Sequence, residues 1–184
     1  MTDPHHRLVA LLARESAKTG DFVLASGRRS TLYIDARRTT MHPEGLSLVG
    51  PLGLAVCRAW GADSVGGLTL GADPIAYAIA YAGQLAGTPV RAFTVRKEAK
   101  QHGTGQLIEG QFATGDRVVV VEDVITTGGS ALKAVAAVRA AGGDVQGVLA
   151  VVDREEGGRE ALEREGLRVQ ALVPAREILA ALGG

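Results

Sequence analysis

The chain is predicted to be an α/β protein, with a mainly parallel central sheet flanked by helices and a small layer added at the N-terminus. Three observations carry that prediction. Val118, Val119, Val120 and Val121 form an uninterrupted β-branched run, the pattern of a strand buried on both faces of a parallel sheet. From residue 65 onward, short apolar runs alternate with helical patterns, which implies βαβ units with right-handed crossovers. The central run also leads through two carboxylates into a Gly/Thr/Ser turn and then a helical stretch, the order in which open α/β sheets build ligand sites.

Element by element, residues 7–17 place Leu8, Leu11 and Leu12 at helical spacing. Residues 22–25 and 31–34 read as short strands around a Ser26-Gly27 turn. His42-Pro43-Glu44 marks a helix start, and that helix runs to Trp60 with Pro51 as a kink. Strands are predicted at 65–70, 90–95, 118–121, 145–152 and 168–173. Helices are predicted at 74–86, 130–141, 159–165 and 175–182. Between Val95 and Arg117 the pattern stops for about 20 residues, a length that marks a binding loop or cover in a compact domain. Leu107-Ile108 is a short returning strand within it.

The 184 residues fit a single domain spanning 1–184. Twenty basic residues balance twenty acidic ones, so no global field draws nucleic acid or a membrane surface. No apolar run approaches the ~18 residues of a membrane span, and the first residues lack the apolar core of a signal peptide. The expectation is a soluble, cytoplasmic protein. The single Cys57 excludes an internal disulfide and a Cys-rich zinc site; in its apolar stretch it reads as buried packing. Only four of the basic residues are lysines, and two of them, Lys97 and Lys100, share one short segment.

The chemistry concentrates in Glu122-Asp123-Val124-Ile125-Thr126-Thr127-Gly128-Gly129-Ser130. Successive backbone N–H groups in a glycine-bearing turn, backed by a helix N-terminus, bind a phosphate. The carboxylates suit ribose hydroxyls, a hydrated Mg²⁺ or developing positive charge. Phosphate, sugar and cation within one segment suggest a phosphorylated ribose. Upstream, Arg96, Lys97, Lys100 and His102 are set among glycines. Cations that close over an anionic leaving group stabilise its charge where water is excluded.

The acidic pair followed by T-T-G-G-S resembles the 5-phosphoribosyl 1-pyrophosphate (PRPP) motif of type I phosphoribosyltransferases. The run R-K-x-x-K-x-H-G is similar to the catalytic loop of the orotate phosphoribosyltransferases, and F-x-L-x-S-G-x-x-S-x-x-Y-x-D over residues 22–35 resembles that family's hood. Asp153-Arg154 matches its Asp-Arg after the next strand. The resemblance spans roughly residues 20–160. It implies the type I phosphoribosyltransferase fold, with a hood from about 1–40 plus C-terminal elements and a flexible catalytic loop at about 96–112. It also implies transfer of ribose 5-phosphate from PRPP to N1 of orotate, giving orotidine 5′-phosphate and pyrophosphate, in de novo pyrimidine (UMP) biosynthesis.

Carried over residue by residue, the resemblance makes Lys100, His102 and Asp123 catalytic. PRPP would be bound by Arg96, Lys97, Lys100, His102, Glu122, Asp123, Val124, Ile125, Thr126, Thr127, Gly128, Gly129 and Ser130. Thr126 and Arg154 would bind orotate, since a planar guanidinium suits a bidentate carboxylate contact and a hydroxyl does not repel an anionic base. His102 would give pyrophosphate either a proton or a hydrogen bond. Mg²⁺ would be held mainly by PRPP and water, with no direct protein ligand, and the loop would be shared across a homodimer.

Two positions depart from the family pattern. Ala25 stands where many members place a lysine, with Arg28 as a candidate replacement, and the 71–76 turn lacks another. Two rival functions follow from the same residues. A phosphoribosyltransferase for uracil or a purine would leave Arg154 without a carboxylate to hold. A PRPP-sensing regulator would need a nucleic-acid-binding element, and only about 20 residues precede the hood.

Overall fold

The computed structural model describes residues 3–23, 29–98 and 107–183. The chain opens with helix α1 (Pro4–Glu15), which has proline in its first turn and buries Leu8, Leu11 and Leu12. The helix begins earlier than its leucines suggest, because Pro4 pre-sets the first turn. Strands β1 (Ala17–Val23) and β2 (Arg29–Ile34) pair antiparallel as a separate two-stranded sheet. Residues 24–28, with Ser26-Gly27, Ala25 and Arg28, lie outside the described residues.

A four-residue helix α2 (Arg37–Thr40), too short to show a period, leads into α3 (Pro43–Ala59). His42 caps α3: its Nδ1 accepts from the Glu44 N–H at 3.2 Å. Pro51 lies inside the helix as anticipated. The alternating part follows as β3 (Ser64–Leu68), α4 (Asp73–Leu85), β4 (Arg91–Val95), β5 (Ile108–Gly110), β6 (Arg117–Ile125), α5 (Gly129–Ala140), β7 (Asp144–Asp153), α6 (Gly158–Arg164), β8 (Val169–Pro174) and α7 (Ala175–Gly183).

Six strands form the main sheet in the order β5-β4-β3-β6-β7-β8, parallel except for β5, which returns antiparallel along β4. The chain moves outward from β3 to β4, then re-enters beside β3 at β6 and moves the other way. The β3–β6 boundary is therefore the topological switch point, where such sheets bind ligands.

Each face of the sheet has its own core. Val119 and Val121 pack with α1, α3, α4 and α7 residues such as Leu12, Val49, Ile79 and Ile178. Val118 and Val120 pack on the other side with Ala134, Val138 and Leu162 of α5 and α6. The strand is buried on both faces, as its unbroken apolar run requires. Cys57 is fully buried, and burial pushes its thiol up to about 12, consistent with an inert packing role.

Candidate active site

β3 and β6 pair at Ser64–Val118, Val65–Val119 and Gly66–Val120. β6 continues to Ile125 beside β7, where Ile125 is paired with Asp153. The predicted strand end at Val121 is thus four residues early: Glu122 and Asp123 lie within the strand. Hydrophobic patterning stops at the carboxylates, but the backbone ladder to β7 does not. Past Val120 the two central strands part around a cleft of about 300 Å³. Leu68, Thr69, Leu70 and Gly71 line it on the β3 side, Glu122, Asp123, Val124 and Thr126 on the β6 side, and residues 33–37 from the hood.

Asp123 lies flat against Gly71. A methyl group at that glycine would stand 2.7 Å from the carboxylate carbon, so the β3-side wall touches the acid directly. Asp123 Oδ1 accepts from the Val124 N–H at 2.9 Å. Glu122 is only 8% exposed, and its Oε2 has no hydrogen-bond partner among the described residues. Burial, and then the adjoining Asp123 charge, push its pKa up to about 9. Burial thus disfavours the charged form of Glu122 at the base of the cleft.

Downstream, Gly128 caps α5 with φ +82°, a left-handed conformation that glycine adopts without a Cβ clash. It offers no side-chain acceptor to the first turn. The leading N–H groups of α5 are left for a ligand, and the helix dipole favours an anion there. The turn is held from behind by α6, where a Cβ on Gly158 would sit 2.4 Å from the Thr126 carbonyl oxygen.

Arg154 follows β7 directly and is 8% exposed at the cleft. Its N–H donates to the Ile125 carbonyl at 2.9 Å. Its Nη2 donates to the Leu32 carbonyl of β2 at 3.0 Å and to Glu156 Oε1 at 2.7 Å. The residue ties the hood to the sheet.

Of the residues singled out in the sequence, the cleft gathers Lys97, Glu122, Asp123, Val124, Thr126, Ser130 and Arg154. Thr127, Gly128 and Gly129 shape the turn behind it, and Ile125 is buried in the core. Arg96 points elsewhere: its Nη1 pairs with Glu109 of β5 at 3.0 Å. Lys100 and His102 lie outside the described residues. The stretch expected to be loop as far as 112 contains β5, so the returning strand indicated by Leu107-Ile108 forms.

One feature of the cleft and one just behind its wall escaped sequence reasoning. Arg37 projects from the start of α2 and is held by Asp35, with Nε donating to Oδ1 at 2.8 Å and Nη2 to Oδ2 at 3.1 Å. The signal was local: an arginine two residues after an acid at a strand end. The second is Asp73, in the lysine-free turn. It accepts from Thr69 Oγ1 at 2.6 Å and Thr94 Oγ1 at 2.9 Å, and Tyr77 Oη lies 3.0 Å from the same Thr94 oxygen.

A parallel sheet with a phosphate turn and an acidic pair at its switch point, under a small hood, defines a protein of the type I phosphoribosyltransferase class. No family model matches the chain. It is 48% identical over 176 residues to the orotate phosphoribosyltransferase of Aquifex aeolicus, covering 94% of this chain and 96% of that protein. It is 50% identical over 166 residues to the Mycobacterium tuberculosis orotate phosphoribosyltransferase, covering 90% and 91%. The crystal structure of the M. tuberculosis H37Rv enzyme in complex with Fe(III) dicitrate matches at TM-score 0.86 and 47% identity, over 96% of this chain and 99% of that one. The same enzyme in complex with PRPP matches at 0.82 and 44% identity, over 96% and 99%. The chain belongs to the orotate phosphoribosyltransferase family.

Proposed function

We propose that this chain transfers ribose 5-phosphate from PRPP to N1 of orotate, releasing pyrophosphate and forming orotidine 5′-phosphate for UMP synthesis. The observation that carries the reading is the gathering of Asp123, Ser130, Lys97 and Arg154 in one cleft at the switch point, in a chain whose full-length relatives are orotate phosphoribosyltransferases.

The residue roles are those that the resemblance implies, and the lining of the cleft supports part of them. Turn 126–130 and the start of α5 hold the 5-phosphate through backbone N–H groups and hydroxyls. Asp123 holds the ribose hydroxyls and favours positive charge on the ring as the bond at C1 breaks, by analogy with the oxocarbenium-like states of glycoside hydrolysis. Lys97, with Lys100 and His102 of the same segment, stabilises the departing pyrophosphate; the resemblance gives Arg96 the same role, which requires it to leave Glu109. Thr126 and Arg154 hold orotate, the arginine through its carboxylate. Orotate has an ionisable N1, so no strong general base is required.

Among the described residues no three His, Cys, Asp or Glu side chains gather as a metal cage. Three carboxylates line the cleft: Asp35, which is paired with Arg37, and the adjoining Glu122 and Asp123. That set fits Mg²⁺ carried in by PRPP oxygens and water, the usual arrangement for an ion that keeps its hydration. When bound, the ion screens pyrophosphate charge.

The working unit is a homodimer with the 96–112 segment shared between subunits, each chain forming one catalytic domain. Support comes from α4, which leaves Tyr77, Tyr81 and Leu85 exposed at successive four-residue steps, an apolar stripe of the kind that marks a partner surface. Among the described residues no helix is long and apolar enough to cross a membrane, in keeping with a cytoplasmic location.

Loss of orotate absorbance with PRPP and Mg²⁺ tests the reading, with uracil and hypoxanthine as controls. Turnover of orotate alone supports it. Turnover of another base overturns the acceptor assignment, and PRPP binding without any turnover favours a PRPP-sensing regulator.

A further inference from the structure

The cleft has a third cation besides Lys97 and Arg154, and none of the roles above uses it. Arg37 lines the cleft from the hood side, on the wall formed by residues 33–37. Its guanidinium is fixed by a bidentate pair with Asp35, and its side chain remains 47% exposed. Asp35 occupies the Nε–Nη2 edge of the fork. The opposite edge, Nη1 with the second Nη2 hydrogen, makes no hydrogen bond among the described residues, on a side chain that lines the cleft; such an edge can receive a phosphate through two parallel hydrogen bonds.

Position decides which part of a ligand that edge meets. The 5-phosphate turn at 126–130 lies downstream of Asp123 along the chain, and Arg154 is bonded to β2 and Glu156 on the hood side. Asp123 touches Gly71, and Arg37 is near enough to Asp123 for their charges to interact. Asp123 thus adjoins the 5-phosphate turn along the chain and, in space, both Gly71 and the charge of Arg37, so a leaving group on a ribose held at Asp123 comes within the field of Arg37. The 68–71 wall supplies no cation, and Asp73 just beyond it is occupied by Thr69 and Thr94.

We propose that Arg37, preset by Asp35, is a substrate-binding residue that grips the pyrophosphate end of PRPP and supplies there the charge that the lysine-free 71–76 turn lacks. This rests on the PRPP-binding reading of the cleft. It does not depend on which base is the acceptor.

Titration calorimetry of the full chain with Mg²⁺ tests it, using PRPP, pyrophosphate and ribose 5-phosphate as separate probes of the wild type, Arg37→Gln and Arg37→Lys. A charge-assisted bidentate contact is worth about 1.5–3 kcal/mol, so Arg37→Gln should weaken PRPP and pyrophosphate roughly 10- to 100-fold. Ribose 5-phosphate should change less than about twofold, and Arg37→Lys should recover part of the loss. Unaltered pyrophosphate affinity in Arg37→Gln overturns the proposal. Equal loss of ribose 5-phosphate also overturns it, since the arginine would then act by shaping the whole cleft. Failure of the wild type to bind PRPP at all would overturn the parent reading instead, and this proposal with it.

Discussion

Replacing Glu122 by glutamine isolates the cost of placing an ionisable group at the base of the cleft. Its pKa is pushed up to about 9 from an ordinary 4.5, first by burial and then by the adjoining Asp123 charge. Between those values the unfolded chain releases this proton while the folded chain holds it. The unfolded state then binds fewer protons, so stability falls as pH rises. Below 4.5 the penalty is absent, and it is complete once pH passes about 9. At about pH 7.5 the span is roughly three pH units, which at ~1.36 kcal/mol each gives an upper figure of about 4 kcal/mol. An effective dielectric near ~20 rather than a dry interior reduces this, and about 1–3 kcal/mol is the working expectation. That is a substantial share of a typical domain stability of about 5–15 kcal/mol. Glutamine keeps the shape and a donor but does not titrate. Urea unfolding followed by the fluorescence of Trp60, the single tryptophan, should show Glu122→Gln gaining on the wild type steadily from about pH 5 to about pH 8. Parallel stability curves for the two proteins would refute the reasoning, because they would mean that the buried carboxyl has no elevated pKa.

Further outcomes are expected at other positions. Gly71→Ala places a methyl group 2.7 Å from the Asp123 carboxylate and should lower kcat/KM about 100-fold, a transition-state loss of about 3 kcal/mol; steady-state kinetics check this, with the melting temperature as the folding control. Phe93→Ala removes a ring that is 1% exposed in the core under α5, and chemical denaturation should show a loss of about 3–5 kcal/mol. Lys100→Ala should depress turnover far more than PRPP affinity, measured by initial rates against calorimetry; equal loss in both would make the segment a binding element only. Mixing Lys100→Ala with Asp123→Asn protein should restore part of the activity through hybrid dimers, and no recovery despite subunit exchange would count against a shared segment.

The fold was legible because its signals are periodic. Four consecutive valines can be buried on both faces only inside a parallel sheet, and the strand-helix alternation from Ser64 onward left little freedom in topology. The phosphate turn was legible because a left-handed cap at Gly128 and a helix start impose composition over a few consecutive residues. Contacts between distant segments were not legible in the same way. Arg37 and Asp35 enter the cleft because the hood folds over β6, and no local pattern records that placement. The reach of β6 to Ile125 was hidden for the opposite reason: its ladder with β7 continues through two carboxylates that break the apolar run. Arg154 is expected to hold the base; the structure keeps it at the cleft and adds an ion pair with Glu156 that its position in the sequence does not announce.

Asp73 stands where the family pattern led us to look for a positive charge, and its two hydrogen bonds carry a mechanical implication. Thr69 belongs to the wall against which the ribose acid lies, and Thr94 belongs to the strand whose next residues are Val95, Arg96 and Lys97. One carboxylate clamps both. The wall and the root of the basic segment thus share a common datum two bonds long, and positional error need not accumulate around the sheet. A side chain that contributes no charge to the ligand sets the tolerance between the surface that receives the sugar and the arm that meets its leaving group.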